Sequence, residues 1–205
     1  MKKITHYLLV LMSVVTVALS STIAYAAQPS AEETYAITEE RITTALESIK
    51  DTKTKRVGDK TNGYLDVPET YVDFHDVGVQ DFAGKQWSYI DGYHIVTLMA
   101  FDPQIVAQAS VDAKKLNISL PELFGSQLVQ GNEEMGLTVE FAGLLEGFEN
   151  VQGVYAYFKG PKDQIAAVFH PKDQPDKFYM ISVEGKEEEV VDLFAMVVNS
   201  WKADK

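Results

Sequence analysis

The last stretch of the chain, "KEEEVVDLFAMVVNSWK", sets the tightest limit on what this sequence can fold into. Val190, Leu193, Phe194, Val197, Val198 and Trp201 recur at helical spacing over about three turns. An apolar face of that width does not stay in water, so the helix has to lie on a sheet. Glu187, Glu188 and Glu189 stand at the positive end of its dipole and Lys202 at the negative end. The segments that precede it supply strands at 137–146, 151–159, 165–170 and 178–184.

Upstream, "AITEERITTALESIK" carries Ile42, Ala45, Leu46 and Ile49 on one helical face, with Thr38 or Ser30 as the N-cap. The polar run "DTKTKRVGDKTNG" holds Lys53, Lys55, Arg56 and Lys60 and reads as a solvated loop or, alternatively, a docking surface for an acidic partner. Strands are predicted at Tyr64–Val67 and Tyr71–Val77, flanking the turn signal Pro68-Glu69. A second pair, Gln86–Ile90 and Tyr93–Phe101, is separated by Asp91-Gly92, a strong hairpin signal. Asp102 before Pro103, and Ser119 before Pro121, open two helices across 102–132. Tight turns between successive strands imply an antiparallel sheet flanked by helices, an α+β sandwich of α/β/α type.

The N-terminus reads as a secretory signal peptide. Lys2 and Lys3 precede an apolar run from Tyr7 to about Leu19, and Ala24-Tyr25-Ala26 forms an A-x-A cleavage site. The apolar run is shorter than the about 20 residues a spanning helix needs. The expected organisation is a signal peptide over 1–26, an N-terminal helix and polar linker over 27–62, and a single α+β domain over 63–205. A cut after Ala26 removes two of the 18 basic residues and none of the 30 acidic ones, which moves the net charge from −12 to −14. Such a surface repels nucleic acid and anionic lipid, whose binding starts with Lys and Arg neutralising phosphate. The chain has no cysteine, which removes lipoprotein anchoring, thiol catalysis, thiolate zinc and iron–sulfur chemistry, and leaves an exported domain without disulfides. No later stretch reaches spanning length, so the expectation after cleavage is a secreted or extracytoplasmic protein with no membrane span.

The stretch "GYLDVPETYVDFHDVG" concentrates four carboxylates and a histidine. Strand alternation turns Val72 and Phe74 to the core and leaves Asp73 and His75 on the solvent face, about 6–7 Å apart. A cation fits between such a carboxylate and imidazole, but a stable site needs a third and usually a fourth ligand. Asp76 points away, Asp66 reaches only across the hairpin, and a strand separates His75 from His94. The stretch therefore reads as a polar face, with Asp73, His75 and the basic Arg56 as candidate ligand-binding residues and no metal site. His170 reads as a solvent-facing residue in a proline-rich turn. The metal-binding motif H-E-x-x-H and the nucleophile motifs G-x-S-x-G and S-x-x-K are absent from the mature sequence. Glu140 and Glu146 form a chance carboxylate pair, and Ser126 lies within a helix. Tyr155, Tyr157, Trp87 and Tyr89 alternate along strands and read as core beneath the closing helix rather than a platform for sugars or peptides. "NIS" at Asn117 matches a glycosylation acceptor that the bacterial style of the signal peptide makes incidental.

With its glycine-aromatic start and turn proline, "GYLDVPETYVDF" resembles the opening of PsbP/Mog1-like domains, and the order of elements from about residue 60 to 202 is similar to theirs. The region "KQWSYIDGYHIVTLMAFD" is similar to small exported proteins of Gram-positive bacteria without an assigned activity. The resemblance implies an antiparallel sheet flanked by helices and closed by a long C-terminal helix, in domains that mostly act as non-enzymatic binding or assembly factors. The expected function is an exported, non-enzymatic binding or accessory protein of the bacterial cell envelope, with a protein or small ligand as partner and no cofactor. The alternatives are a metal-dependent or carboxylate-based envelope hydrolase and a purely structural envelope component.

Overall fold

The computed structural model describes residues 35–74, 84–89 and 92–204. The expected signal peptide, the cap candidate Ser30, His75 through Val77, and Ile90 and Asp91 of the expected hairpin lie outside them. The elements run in the order α1 (Glu39–Ser48), β1 (Thr54–Asp59), β2 (Gly63–Pro68), β3 (Val72–Asp73), β4 (Lys85–Ser88), β5 (Ile95–Ala100), α2 (Pro103–Leu116), α3 (Leu120–Glu134), β6 (Thr138–Leu144), β7 (Val151–Lys159), β8 (Asp163–Pro171), β9 (Tyr179–Gly185) and α4 (Glu187–Ser200). Seven strands form one antiparallel sheet in the order β3-β4-β5-β9-β8-β7-β6, and β1 pairs with β2 in a separate ribbon. The fold is the expected α+β sandwich.

Alternation along the central strands explains its layers. In β7, Tyr155 and Tyr157 join the core beneath α4, while Val154 faces α2 and α3 and Ala156 and Phe158 face α3. In β8, Ile165, Ala167 and Phe169 take the α4 side, and Ala166 and Val168 the other. Both faces are dry, so these strands read as nearly continuous apolar runs. The α4 layer also contains α1 and the β1–β2 ribbon, through Ile42, Ala45, Leu65 and Val67. On the far side α3 comes so close to β7 that a β-carbon on Gly125 would stand 3.0 Å from a Val154 methyl. That distance is why a residue without a side chain occupies the contact.

Helix starts follow the sequence closely. Thr38 Oγ1 accepts from the Arg41 N–H, Asp102 accepts from the Gln104 N–H at 2.7 Å, and Ser119 and Glu122 form a capping box. Asn117, at the glycosylation-like tripeptide, is the left-handed C-cap of α2 with φ 56°. Ser126 bonds back to the Glu122 carbonyl, as a serine inside a helix can.

Two expectations are corrected. The polar run after α1 is not a loop, because residues 54–59 form β1 and pair with β2 from Thr54↔Pro68 to Asp59↔Gly63. A strand that buries little of itself carries no apolar alternation to reveal it. Pro68-Glu69 marks a turn, with Tyr71 N–H donating to the Pro68 carbonyl, but β2 and β3 do not pair across it. The β4–β5 register, Lys85↔Leu98 to Ser88↔Ile95, is the one a two-residue turn at Asp91-Gly92 gives, with Tyr89 N–H donating to the His94 carbonyl; Ile90 and Asp91 themselves lie outside the described residues.

Candidate functional site

Of the residues singled out from sequence, Asp73 is exposed on β3, and His75 lies outside the described residues. The expected inward pair is not formed. Tyr71 is buried at 6% exposure, while Val72 is 50% exposed and Phe74 half-buried. β3 is a two-residue strand at the end of the sheet, too short for alternation to bury one face. The intervening strand is placed as expected, with β4 between β3 and β5.

Arg56 is brought into the structure through β1. Its Nη1 donates to Asp66 Oδ1 at 3.1 Å across the ribbon and to the Ser200 carbonyl at 2.6 Å. The last turn of α4 has no basic residue of its own, so Arg56 supplies the cation that the helix C-terminus favours. Nearby, Lys55 donates to the Tyr71 carbonyl.

The ends of the ribbon and of the chain meet at a second junction. Asp59 accepts from the N–H groups of Thr61 and Asn62, both at 2.9 Å, and from the Asn62 amide. Buried Asn62 accepts from the Ala100 N–H through Oδ1, and its carbonyl accepts from Trp201 Nε1. Partial burial works against the Asp59 carboxylate. The backbone donors of Asn62 and Thr61, the Asn62 side chain and Lys85 outweigh it and hold the group below the usual carboxylate range. Tyr64 and Lys202 exchange backbone hydrogen bonds at 2.8 Å, which fixes the chain after α4 against β2.

The densest ionisable cluster lies where the β7–β8 turn meets the first turn of α4. Tyr157 and Lys159 are two apart on β7 and share a face, and the turn at Gly160-Pro161-Lys162 returns Asp163 beside them. Asp163 Oδ2 accepts from the Tyr157 hydroxyl and from Lys159 Nζ, each at 2.6 Å. Lys159 also reaches Glu187 Oε2 at 2.8 Å. The Tyr35 ring stands 4.8 Å from that of Tyr157, and the ammonium sits 5.5 Å from its centroid. Burial pushes the Tyr157 phenol well above its ordinary range, and the Asp163 carboxylate it donates to adds to the shift. Burial alone would lower Lys159, but Asp163 and Glu187 outweigh it and raise the ammonium. At neutral pH the phenol therefore stays a donor and the lysine stays charged.

His94 and His170 are also enclosed. His94, buried against Gly185, places Nε2 2.9 Å from Glu189 Oε2, one more tie to the first turn of α4. His170 is buried rather than solvent-facing: its Nδ1 lies 2.8 Å from the Pro171 carbonyl and its Nε2 3.1 Å from the Gln152 amide. The correction follows from β8 running to Pro171, one residue past His170. Tyr155, Tyr157 and Trp87 are core residues, and Tyr89 is exposed. Glu140 sits at a bulge in β6, and Glu146 in the turn that follows. Among the described residues no group of three or more His, Asp or Glu side chains gathers to hold an ion, and no helix is long and apolar enough to cross a membrane.

Sequence reasoning missed the Tyr157–Lys159–Asp163 cluster, although alternation plus a tight return turn would have found it. The His94–Glu189 contact joins groups far apart in the chain and leaves no local signal.

No protein-family model matches the sequence, and neither does any curated protein. Among solved structures the fold is similar to cyanobacterial PsbP from Synechocystis, at 11% identity and TM-score 0.49, covering 74% of this chain and 92% of that one. It is likewise similar to the Saccharomyces cerevisiae Ran-binding protein Mog1p, at 11% identity and TM-score 0.47, covering 74% of this chain and 96% of that one. These likenesses concern the arrangement of helices and strands alone.

Proposed function

We propose that this protein is an exported, non-enzymatic binding or accessory protein of the bacterial cell envelope. One observation carries the reading: the side chains best suited to acid–base chemistry hold the scaffold together. Asp163 accepts from Tyr157 and Lys159, and His94 meets Glu189 against α4. Reaction chemistry favours groups poised to exchange protons near neutral pH, and the shifts of Tyr157 and Lys159 run the other way. The N-terminal leader and the acidic composition support export and a soluble mature form with cationic partners.

The test is expression of the full chain in a Gram-positive host, followed by fractionation and N-terminal sequencing. A mature product beginning at Ala27 in the medium or envelope fraction is expected. The same product is then offered glycan and peptide substrates, with its metal content measured. Cytoplasmic retention of an uncut chain contradicts the export half, and turnover contradicts the non-enzymatic half.

A further inference from the structure

The seven-stranded sheet ends in two different edges. β3 is two residues long and, among the described residues, offers little backbone to pair with. β6 runs for seven residues and, among the described residues, pairs only with β7. At about 3.4 Å per residue it presents over 20 Å of edge, a template for another strand.

Two further features coincide with that edge. The two most exposed large apolar side chains among the described residues flank it: Met135, 68% exposed, lies just before β6, and Leu144, 62% exposed, is its last residue. The charge around it has a single sign. From Lys115 to Lys159 the chain has no basic residue, and Glu133, Glu134, Glu140, Glu146 and Glu149 fall within or beside β6. All of them except half-buried Glu140 are exposed.

We propose that β6 is a docking edge for an extended, cationic segment of a partner protein, which adds as an eighth strand. Resting on the accessory-protein reading above, this assigns its partner surface. Main-chain hydrogen bonds along 138–144 supply affinity, and alternate side chains supply selection. Lysine or arginine on the incoming strand meets the glutamates, and apolar residues cover Met135 and Leu144. A second copy of this chain fits poorly, because an isologous pairing of two β6 edges sets glutamate against glutamate. The bulge between Val139 and Phe141, at Glu140, adds to that mismatch.

The test uses the signal-free protein and a fluorescein-labelled Lys-Val-Lys-Val-Lys-Val peptide, read by anisotropy and by amide hydrogen exchange. The expected result is saturable binding that weakens with salt, with at least tenfold slower exchange confined to 138–144. The triple variant Glu133→Lys, Glu134→Lys, Glu140→Lys, folded by circular dichroism, weakens binding tenfold or more. A backbone N-methylated peptide of the same sequence fails to bind. Absence of binding, binding without protection in 138–144, equal binding of a Glu-Val peptide, or equal binding of the N-methylated peptide each overturns the proposal. Concentration-dependent protection of β6 without peptide overturns it in favour of a second copy. These failures leave the accessory reading standing. Cleavage of the peptide by the protein instead refutes that reading.

Discussion

Replacing Gly63 by alanine is expected to destabilise the protein, whereas the same change at Gly131 is not, and the cost follows from the contacts around Gly63. Gly63 has φ +82°, a left-handed conformation that costs an alanine about 1–2 kcal/mol. Its β-carbon would stand 2.8 Å from Trp201 Nε1 and 2.9 Å from the Lys202 carbonyl oxygen. Both neighbours are engaged: the Lys202 carbonyl accepts from Tyr64 N–H at 2.8 Å, and Trp201 Nε1 donates to the Asn62 carbonyl. Moving them weakens two hydrogen bonds, each worth about 0.5–1.5 kcal/mol. The total is about 2–5 kcal/mol, a large share of the roughly 5–15 kcal/mol that keeps a domain folded. Gly131, inside α3, is the control, because a β-carbon there meets nothing within 4 Å and φ is not positive. Gly131→Ala should stabilise by about 0.4–1 kcal/mol. Urea unfolding followed by tryptophan fluorescence reads both, since Trp201 packs 5.0 Å from Phe169 and 4.6 Å from Tyr179. A Gly63→Ala protein within about 0.5 kcal/mol of wild type would refute the junction described between β2 and the chain end.

Arg56→Leu should cost about 1–3 kcal/mol, because it leaves the Ser200 carbonyl and Asp66 without a charged donor; calorimetry checks this, and an unchanged Tm would contradict it. Asp59 makes stability pH-dependent in a defined direction. Its folded-state affinity for protons is lowered, so its contribution is complete above the ordinary carboxylate range and is lost as pH falls through and below it. Urea midpoints measured from pH 7 to pH 3 should therefore fall less steeply for Asp59→Asn than for wild type.

Much of the fold was legible because its signals are local. The α4 stripe, the caps Asp102 and Ser119, and the β7 run each announce themselves within a few residues. β1 was hidden because Thr54–Asp59 is polar and mostly half-buried, so neither composition nor alternation separates it from a loop. Pro68 told where the chain turns but not where it goes, and β2 therefore acquired the wrong partner. The ionisable cluster was missed for a different reason. Glu187 and Glu189 read from sequence as helix-dipole charges, and only the packing of α4 on the sheet brings them to Lys159 and His94.

The central claim is that the Tyr157–Lys159–Asp163–Glu187 network holds the fold rather than performs a reaction. Asp163→Asn tests it most directly, since this 8%-exposed carboxylate accepts from both the phenol and the ammonium. The account predicts a loss of about 2–4 kcal/mol in urea unfolding, with the Lys-Val peptide still bound by the folded fraction. Unchanged stability, with binding lost or an activity abolished, would contradict it and make the cluster a working site.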